Sequence, residues 1–255
     1  MTAYLIEHPP AQRQFKERGT TPSGLIVVHS AENTPDWVGP DAGAEEVAHF
    51  IQGRSDFGSY HWLVDSDSII DLVPLHLQAY GDGTGSNPFA IHVSAATQAA
   101  KWEAAPKEWT DETVRNMAAA AARSARWLKA EHGITVPAKR VTKAESDARK
   151  PGFIPHADRD PARRSDPGAS FDWDLFLSTF AELMDPRPAT PKITAFLEAK
   201  TDDDRVKAAR KVIRSADDAA VKEAQRWLTN HARKVRATDR MKESRAALKR
   251  LEVTK

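Results

Sequence analysis

Gly24-Leu25-Ile26-Val27-Val28-His29-Ser30 runs through four consecutive aliphatic side chains, three of them β-branched, and then meets an imidazole. Between Pro22 and Ser30 such an unbroken run predicts a buried strand. The chain downstream agrees with a strand-and-helix alternation. Ala44 to Ile51 predicts a short helix, with Val47, Phe50 and Ile51 on one face and Glu45 and Glu46 in its first turn. Ser59 to Val64 and Ile69 to Val73 predict a hairpin about Asp65-Ser66-Asp67-Ser68, and Ala90 to Ser94 another short strand. A long helix is expected from about Thr110 to His132, opened by Thr110-Asp111-Glu112-Thr113 and closed by Gly133, and a last one from about Asp172 to Met184. Strands interspersed with helices give an α/β fold, a mixed central sheet flanked by helices.

This domain should span 1–185. Residues 186–191 hold three prolines in six positions and read as a semi-rigid linker. Over 192–255 no strand signal occurs. Asp-rich caps at Thr201-Asp202-Asp203-Asp204, Ser215-Ala216-Asp217-Asp218 and Ala237-Thr238-Asp239 open three amphipathic segments, expected as a small all-α bundle.

The 255 residues contain no cysteine, so neither disulfides nor thiolate metal sites are available. No apolar run approaches the roughly 18 residues of a membrane span. Met1 to Pro10 lacks the basic start and apolar core of a secretory signal. The net charge of +1 hides a division. Residues 187–255 carry 19 Lys+Arg against 10 Asp+Glu, a balance of +9, which leaves −8 for the remainder.

His29 ends the first strand, while His156 and Asp166 lie ten residues apart in Phe153-Ile154-Pro155-His156-Ala157-Asp158-Arg159-Asp160-Pro161-Ala162-Arg163-Arg164-Ser165-Asp166-Pro167-Gly168. Two imidazoles and a carboxylate are the make-up of a catalytic zinc site, which takes three protein ligands and leaves one position for water. Taken singly, His29 reads as a half-buried strand-end histidine and Asp166 as a turn residue before proline.

The string His-x9-Asp-Pro-Gly-x2-Phe-Asp-Trp from His156 to Trp173, with His29 at a strand end and Tyr60-His61 in a hairpin, resembles the zinc-dependent N-acetylmuramoyl-L-alanine amidases of the phage endolysin type. Their fold is related to that of peptidoglycan-recognition proteins, and the resemblance covers roughly Gly24 to Met184. It implies hydrolysis of the amide between N-acetylmuramic acid and L-alanine in peptidoglycan, with Zn2+ on His29, His156 and Asp166. Tyr60 stands where the family places a tyrosine beside the metal, able to donate to an oxyanion or orient water. Arg164 stands where many members carry lysine; it can stabilise negative charge but cannot act as a base. His92 falls about where one branch has a catalytic glutamate and is a general-base candidate. Glu32 is a further acid–base candidate. Strand alternation puts Tyr60 and Trp62 on one face and His61 on the other, which gives His61 a structural role. Trp37, Tyr80, Trp102 and Trp109 are candidates for stacking on sugar rings.

The basic C-terminal segment should attract a polyanion. After an amidase the expected partner is an anionic cell-wall polymer. Nucleic acid is the rival, and sparse aromatics (Phe196 and Trp227) argue against it. A non-catalytic peptidoglycan-binding module is the other alternative. The expected setting is the host bacterial cytoplasm, with access to the wall once the membrane is permeabilised.

Overall fold

The computed structural model describes residues 4–7, 14–38 and 41–184. In chain order the elements are β1 (Tyr4–Glu7), β2 (Phe15–Glu17), β3 (Leu25–Ser30), α1 (Gly43–Gly53), β4 (Trp62–Val64), β5 (Ser68–Asp71), β6 (Leu77–Ala79), β7 (Ala90–Ala95), α2 (Lys107–His132), α3 (Lys143–Asp147), β8 (Gly152–Pro155), α4 (His156–Arg159) and α5 (Trp173–Met184). The linker and basic helices expected over 186–255 lie outside the described residues.

Six strands form one sheet in the order β1-β5-β4-β7-β3-β8, and β2 pairs with β6 in a small second sheet. Every pair in the large sheet is parallel except β4 with β5, so the sheet is mixed, as expected. β3 lies between β7 and the edge strand β8 and is buried along its whole length. Strands covered on both faces read as continuous apolar runs, which is the pattern of Leu25 to Val28.

Helices close both faces. On one, Ile26, Val28, Trp62, Ile91 and Val93 pack against α2 and α5. Five consecutive alanines of α2, Ala118 to Ala122, are fully or almost fully buried, and their small side chains let the helix lie close to the sheet. Phe153 meets Phe176 and Phe180 of α5 edge-on at 5.0 and 4.7 Å, geometry that aromatic pairs favour. On the other face Val47, Ala48 and Ile51 of α1 cover Leu63, Ile70 and Leu72.

The expected alternation of Tyr60 and Trp62 does not occur. Trp62 packs in the core on the α2 side and its indole donates to Ser124 Oγ at 2.8 Å, whereas Tyr60 packs against the α1-side core. The strand begins only at Trp62. Just before it the His61 carbonyl accepts from both Leu72 and Val73, a bulge in the opposing segment that places Leu72 and Val73 together on the α1-side core.

Candidate metal centre and pocket

The parallel pairing of β3 with β8 brings two histidines together. Val28 is in register with Pro155, so His29, the next residue of β3, and His156, which opens α4 directly after β8, emerge side by side. Their Nδ1 atoms lie 3.1 Å apart. Asp166 Oδ2 completes a triangle, 3.2 Å from His29 Nδ1 and 3.1 Å from His156 Nδ1. All three residues are buried.

The segment that returns Asp166 is held on several sides. Its carbonyl accepts from Ala157 N at 2.8 Å, and the Pro167 carbonyl accepts from Ser30 Oγ at 3.0 Å and Trp102 Nε1 at 2.6 Å. Gly168 has φ +111°, and a Cβ there would run into the Ala99 carbonyl. Only glycine lets the backbone pass so close in that conformation.

The far side of each imidazole decides what the near side can do. His156 Nε2 lies 3.1 Å from the Asp82 carbonyl, which can only accept, so Nε2 carries the proton and Nδ1 presents a lone pair. His29 Nε2 lies 3.1 Å from His92 Nδ1. Burial lowers the pKa of His29, so the ring is neutral. Two acceptors, His156 Nδ1 and Asp166 Oδ2, therefore face each other across 3.1 Å, and among the described residues Asp166 has no lysine or arginine partner. A shared cation would resolve this. Tetrahedral zinc with bonds of about 2.0–2.1 Å sets its ligand atoms about 3.3–3.4 Å apart, close to the triangle found.

The braces behind the histidines include residues that the sequence reading passed over. Asp82 offers its carbonyl to His156 while its carboxylate accepts from Thr84 and Ser86. Buried Arg159 bonds Thr84 and Ser146 and pairs with Asp147, fixing the same turn. The sequence holds a faint sign of this in the Asp-Gly-Thr-Gly-Ser turn at 82–86, a side-chain-capped loop in form. His61 Nδ1 accepts from the backbone N–H of His92 at 3.0 Å, the structural role expected of it.

A cavity of about 380 Å³ opens over the triangle, with Tyr60, Glu32, Arg163 and Arg164 in its walls. The Tyr60 ring is centred 5.1 Å from that of His29. Burial first, then the Asp166 charge, pushes the Tyr60 phenol up to about 12, so it stays a donor. Arg164 reaches the mouth with an exposed side chain. Glu32, at φ +60°, is committed to architecture: its N–H donates to the Thr97 carbonyl and its carboxylate accepts from Ala99 N, each at 2.9 Å.

His92 does not line this cavity. It points from β7 to the same sheet face as His29 but sits behind it, fully buried, its Nδ1 used by His29. Gly81 presses on the ring so closely that a Cβ there would stand 2.7 Å from Cδ2 and nearer still to Cγ and Nδ1. The general-base position expected for it is thus corrected, because the ring has no path to a molecule in the cavity. Of the aromatics proposed for sugar stacking, Tyr80 lines the cavity and pairs with exposed Phe57 at 4.9 Å. Trp102 and Trp109 are core residues, and Trp37 packs partly buried on the α2-side core.

Residues 18–169 match the model of a family described as N-acetylmuramoyl-L-alanine amidase. No curated protein matches the chain. Among solved structures it is similar to the catalytic domain of XlyA, at 22% identity over 69% of this chain and 98% of that one, with a TM-score of 0.45. It is similar also to a mutant endolysin from Bacillus subtilis (21% identity, 71% and 99% covered, TM-score 0.46) and to hydrolase AmiA of Staphylococcus aureus in complex with its ligand (17%, 71% and 84%, 0.48).

Proposed function

The chain belongs to the N-acetylmuramoyl-L-alanine amidase family, and from that premise we propose that it cleaves the amide joining N-acetylmuramic acid to L-alanine in peptidoglycan, using zinc held by His29, His156 and Asp166. The observation that carries the zinc reading is the triangle of His29 Nδ1, His156 Nδ1 and Asp166 Oδ2, with edges of 3.1–3.2 Å and outward nitrogens already engaged. Zinc in such a setting brings the pKa of water toward about 7 and polarises a carbonyl.

The chain's own residues supply the rest. The Tyr60 O–H, protonated throughout the neutral range, donates to the oxygen on which negative charge develops as the amide carbonyl is attacked. Arg164, fixed in charge at the mouth, favours the same charge from a greater distance. His92 holds His29 by its Nε2 and so keeps Nδ1 aimed at the centre; Asp82 does the same for His156 through its carbonyl. Such outer partners typically change metal affinity about 10–100-fold. Exposed Phe57, paired with half-buried Tyr80 at the rim, offers an apolar face to a sugar ring.

The test is release of free amine from purified peptidoglycan with and without a chelator, alongside elemental analysis of His156→Ala. Chelator-sensitive release and loss of about one zinc per chain in the variant are expected. Undiminished zinc and activity in His156→Ala would sink the ligand assignment. The basic residues 187–255 are proposed as the segment that holds an anionic wall polymer.

A further inference from the structure

We propose that Asp41, Asp65 and Asp67, with Glu45 beside them, form a second cation site, built for a hard divalent ion of the calcium class and separate from the histidine centre. One carboxylate oxygen from each of the three aspartates lies within 4.8 Å of the others, and the residues are only 6%, 0% and 2% exposed. Asp41 precedes α1, Asp65 and Asp67 form the β4–β5 turn, and Trp109 of α2 donates to Asp41 Oδ2 at 2.6 Å. The cluster thus sits where three elements meet.

Hydrogen-bond accounting points to a missing positive partner. Asp65 is fully engaged, taking N–H bonds from Ala44 at 2.8 Å, Asp67 at 3.2 Å and Ser68 at 2.7 Å. Asp41 Oδ2 accepts from Ser66 Oγ and Trp109 Nε1, each at 2.6 Å, but buried Asp41 Oδ1 has no donor. The Asp41 carboxyl lies within bonding range of the Asp65 and Asp67 carboxyls. Glu45 repeats the pattern, with Oε1 on Ser68 and Oε2 buried without a donor. None of the four carboxylates has an ion pair among the described residues.

Carboxylates massed in the interior must gain a proton or a cation, since buried unpaired charge is expensive. A proton is the competing occupant: burial, then the charges of Asp41 and Glu45, pushes the Asp67 carboxyl up to about 8. A metal ion satisfies the orphaned Asp41 Oδ1 and offsets the charge of all three aspartates at once, which one proton does not. The donor set is oxygen alone, which suits calcium rather than zinc. Calcium–oxygen bonds of about 2.3–2.6 Å allow opposed ligands to stand about 5 Å apart, so the cluster has the right reach. An ion here would pin Asp41 just ahead of α1, in the same part of the chain as Ser30, Ala31 and Glu32, which wall the cavity.

The test uses the full chain, freed of other cations and carrying one equivalent of zinc. Thermal unfolding is followed against added CaCl2 or MgCl2 at constant ionic strength, and terbium emission is read on tryptophan excitation, Trp109 being the donor at the site. Near-saturating calcium should raise the midpoint by about 5 °C or more, with a smaller effect of magnesium, and calcium should quench the terbium signal. Asp67→Asn should abolish both responses, and Glu45→Gln should weaken them roughly tenfold in concentration. A midpoint indifferent to about 10 mM calcium would mean the cluster holds protons, and the proposal fails. It fails equally if the response persists undiminished in both variants, because the ion then binds elsewhere. Should Asp67→Asn not fold, Glu45→Gln decides.

Discussion

Gly81→Ala is a substitution outside the proposed zinc ligands that should loosen metal binding. The new Cβ would stand 2.7 Å from His92 Cδ2 and nearer to two other ring atoms. Restoring an ordinary contact of about 3.4 Å needs a ring displacement of about 0.7 Å or more. His92 cannot absorb that freely, because His61 stacks on it with rings 5.7 Å apart and 16° from parallel. If the shift lies along the bond to His29, a 3.1 Å contact becomes one of about 3.8 Å, beyond hydrogen bonding. Overpacking of this kind costs about 1–3 kcal/mol, a midpoint lowered by roughly 3–10 °C. Loss of the outer partner of His29 should cut zinc affinity about 10–100-fold. Competition with a chromophoric chelator on the folded protein measures the second effect apart from the first. Gly19→Ala, where a Cβ meets nothing within 4 Å, is the control. Wild-type zinc affinity in Gly81→Ala would show that His92 does not position His29, and the outer-partner argument would have to go.

Tyr60→Phe should keep its zinc and lose about 10²-fold in rate, since only the O–H donor is removed; a wild-type rate would reduce Tyr60 to packing. Because the phenol titrates near 12, it remains protonated through pH 10, and the alkaline limb of the rate profile should be the same in Tyr60→Phe as in wild type. Arg164→Lys should retain substantial activity where Arg164→Ala loses most of it; equal rates in all three proteins would place Arg164 outside the chemistry. A fragment ending near Pro186 should cleave soluble muropeptide like the full chain but act more slowly on intact walls. That deficit should shrink with salt, because the balance of +9 over 187–255 is screened over about 10 Å at 0.1 M. Unchanged wall binding on truncation would refute a targeting role for the segment.

The parts of the fold that the sequence announces are those whose pattern is self-sufficient. β3 is an unbroken aliphatic run, and α2 has its expected end at Gly133, although it starts at Lys107, three residues ahead of the Thr110 expected. β8 is invisible by the same criterion: Gly-Phe-Ile-Pro has two strand formers between a turn residue and a residue that cannot donate, so it reads as loop. Its strand character comes from pairing with β3, a tertiary fact. The same holds for β2 and β6, three residues each. In the candidate site, His29, His156 and Asp166 were legible because ligand chemistry restricts residue type. The position of His92 was not, since spacing along one strand says nothing about which neighbour stands in front. The buried state of Asp65 and Asp67 was equally hidden, as Asp-Ser-Asp-Ser is also what a solvated hairpin turn looks like.

His29 and His156 stand 127 residues apart in sequence, and His29 and Asp166 stand 137 apart. In the unfolded chain no two of these groups form a chelate except His156 and Asp166, ten positions apart. A metal ion therefore cannot seed the fold as it does in small zinc modules, where the ligands sit in one short segment. It can bind fully only after β3 and β8 have found each other, and it then acts as a latch on a long-range contact that was slow to form. A metal bound at the proposed site should accordingly slow unfolding far more than it speeds refolding, protecting the folded protein's persistence rather than its birth.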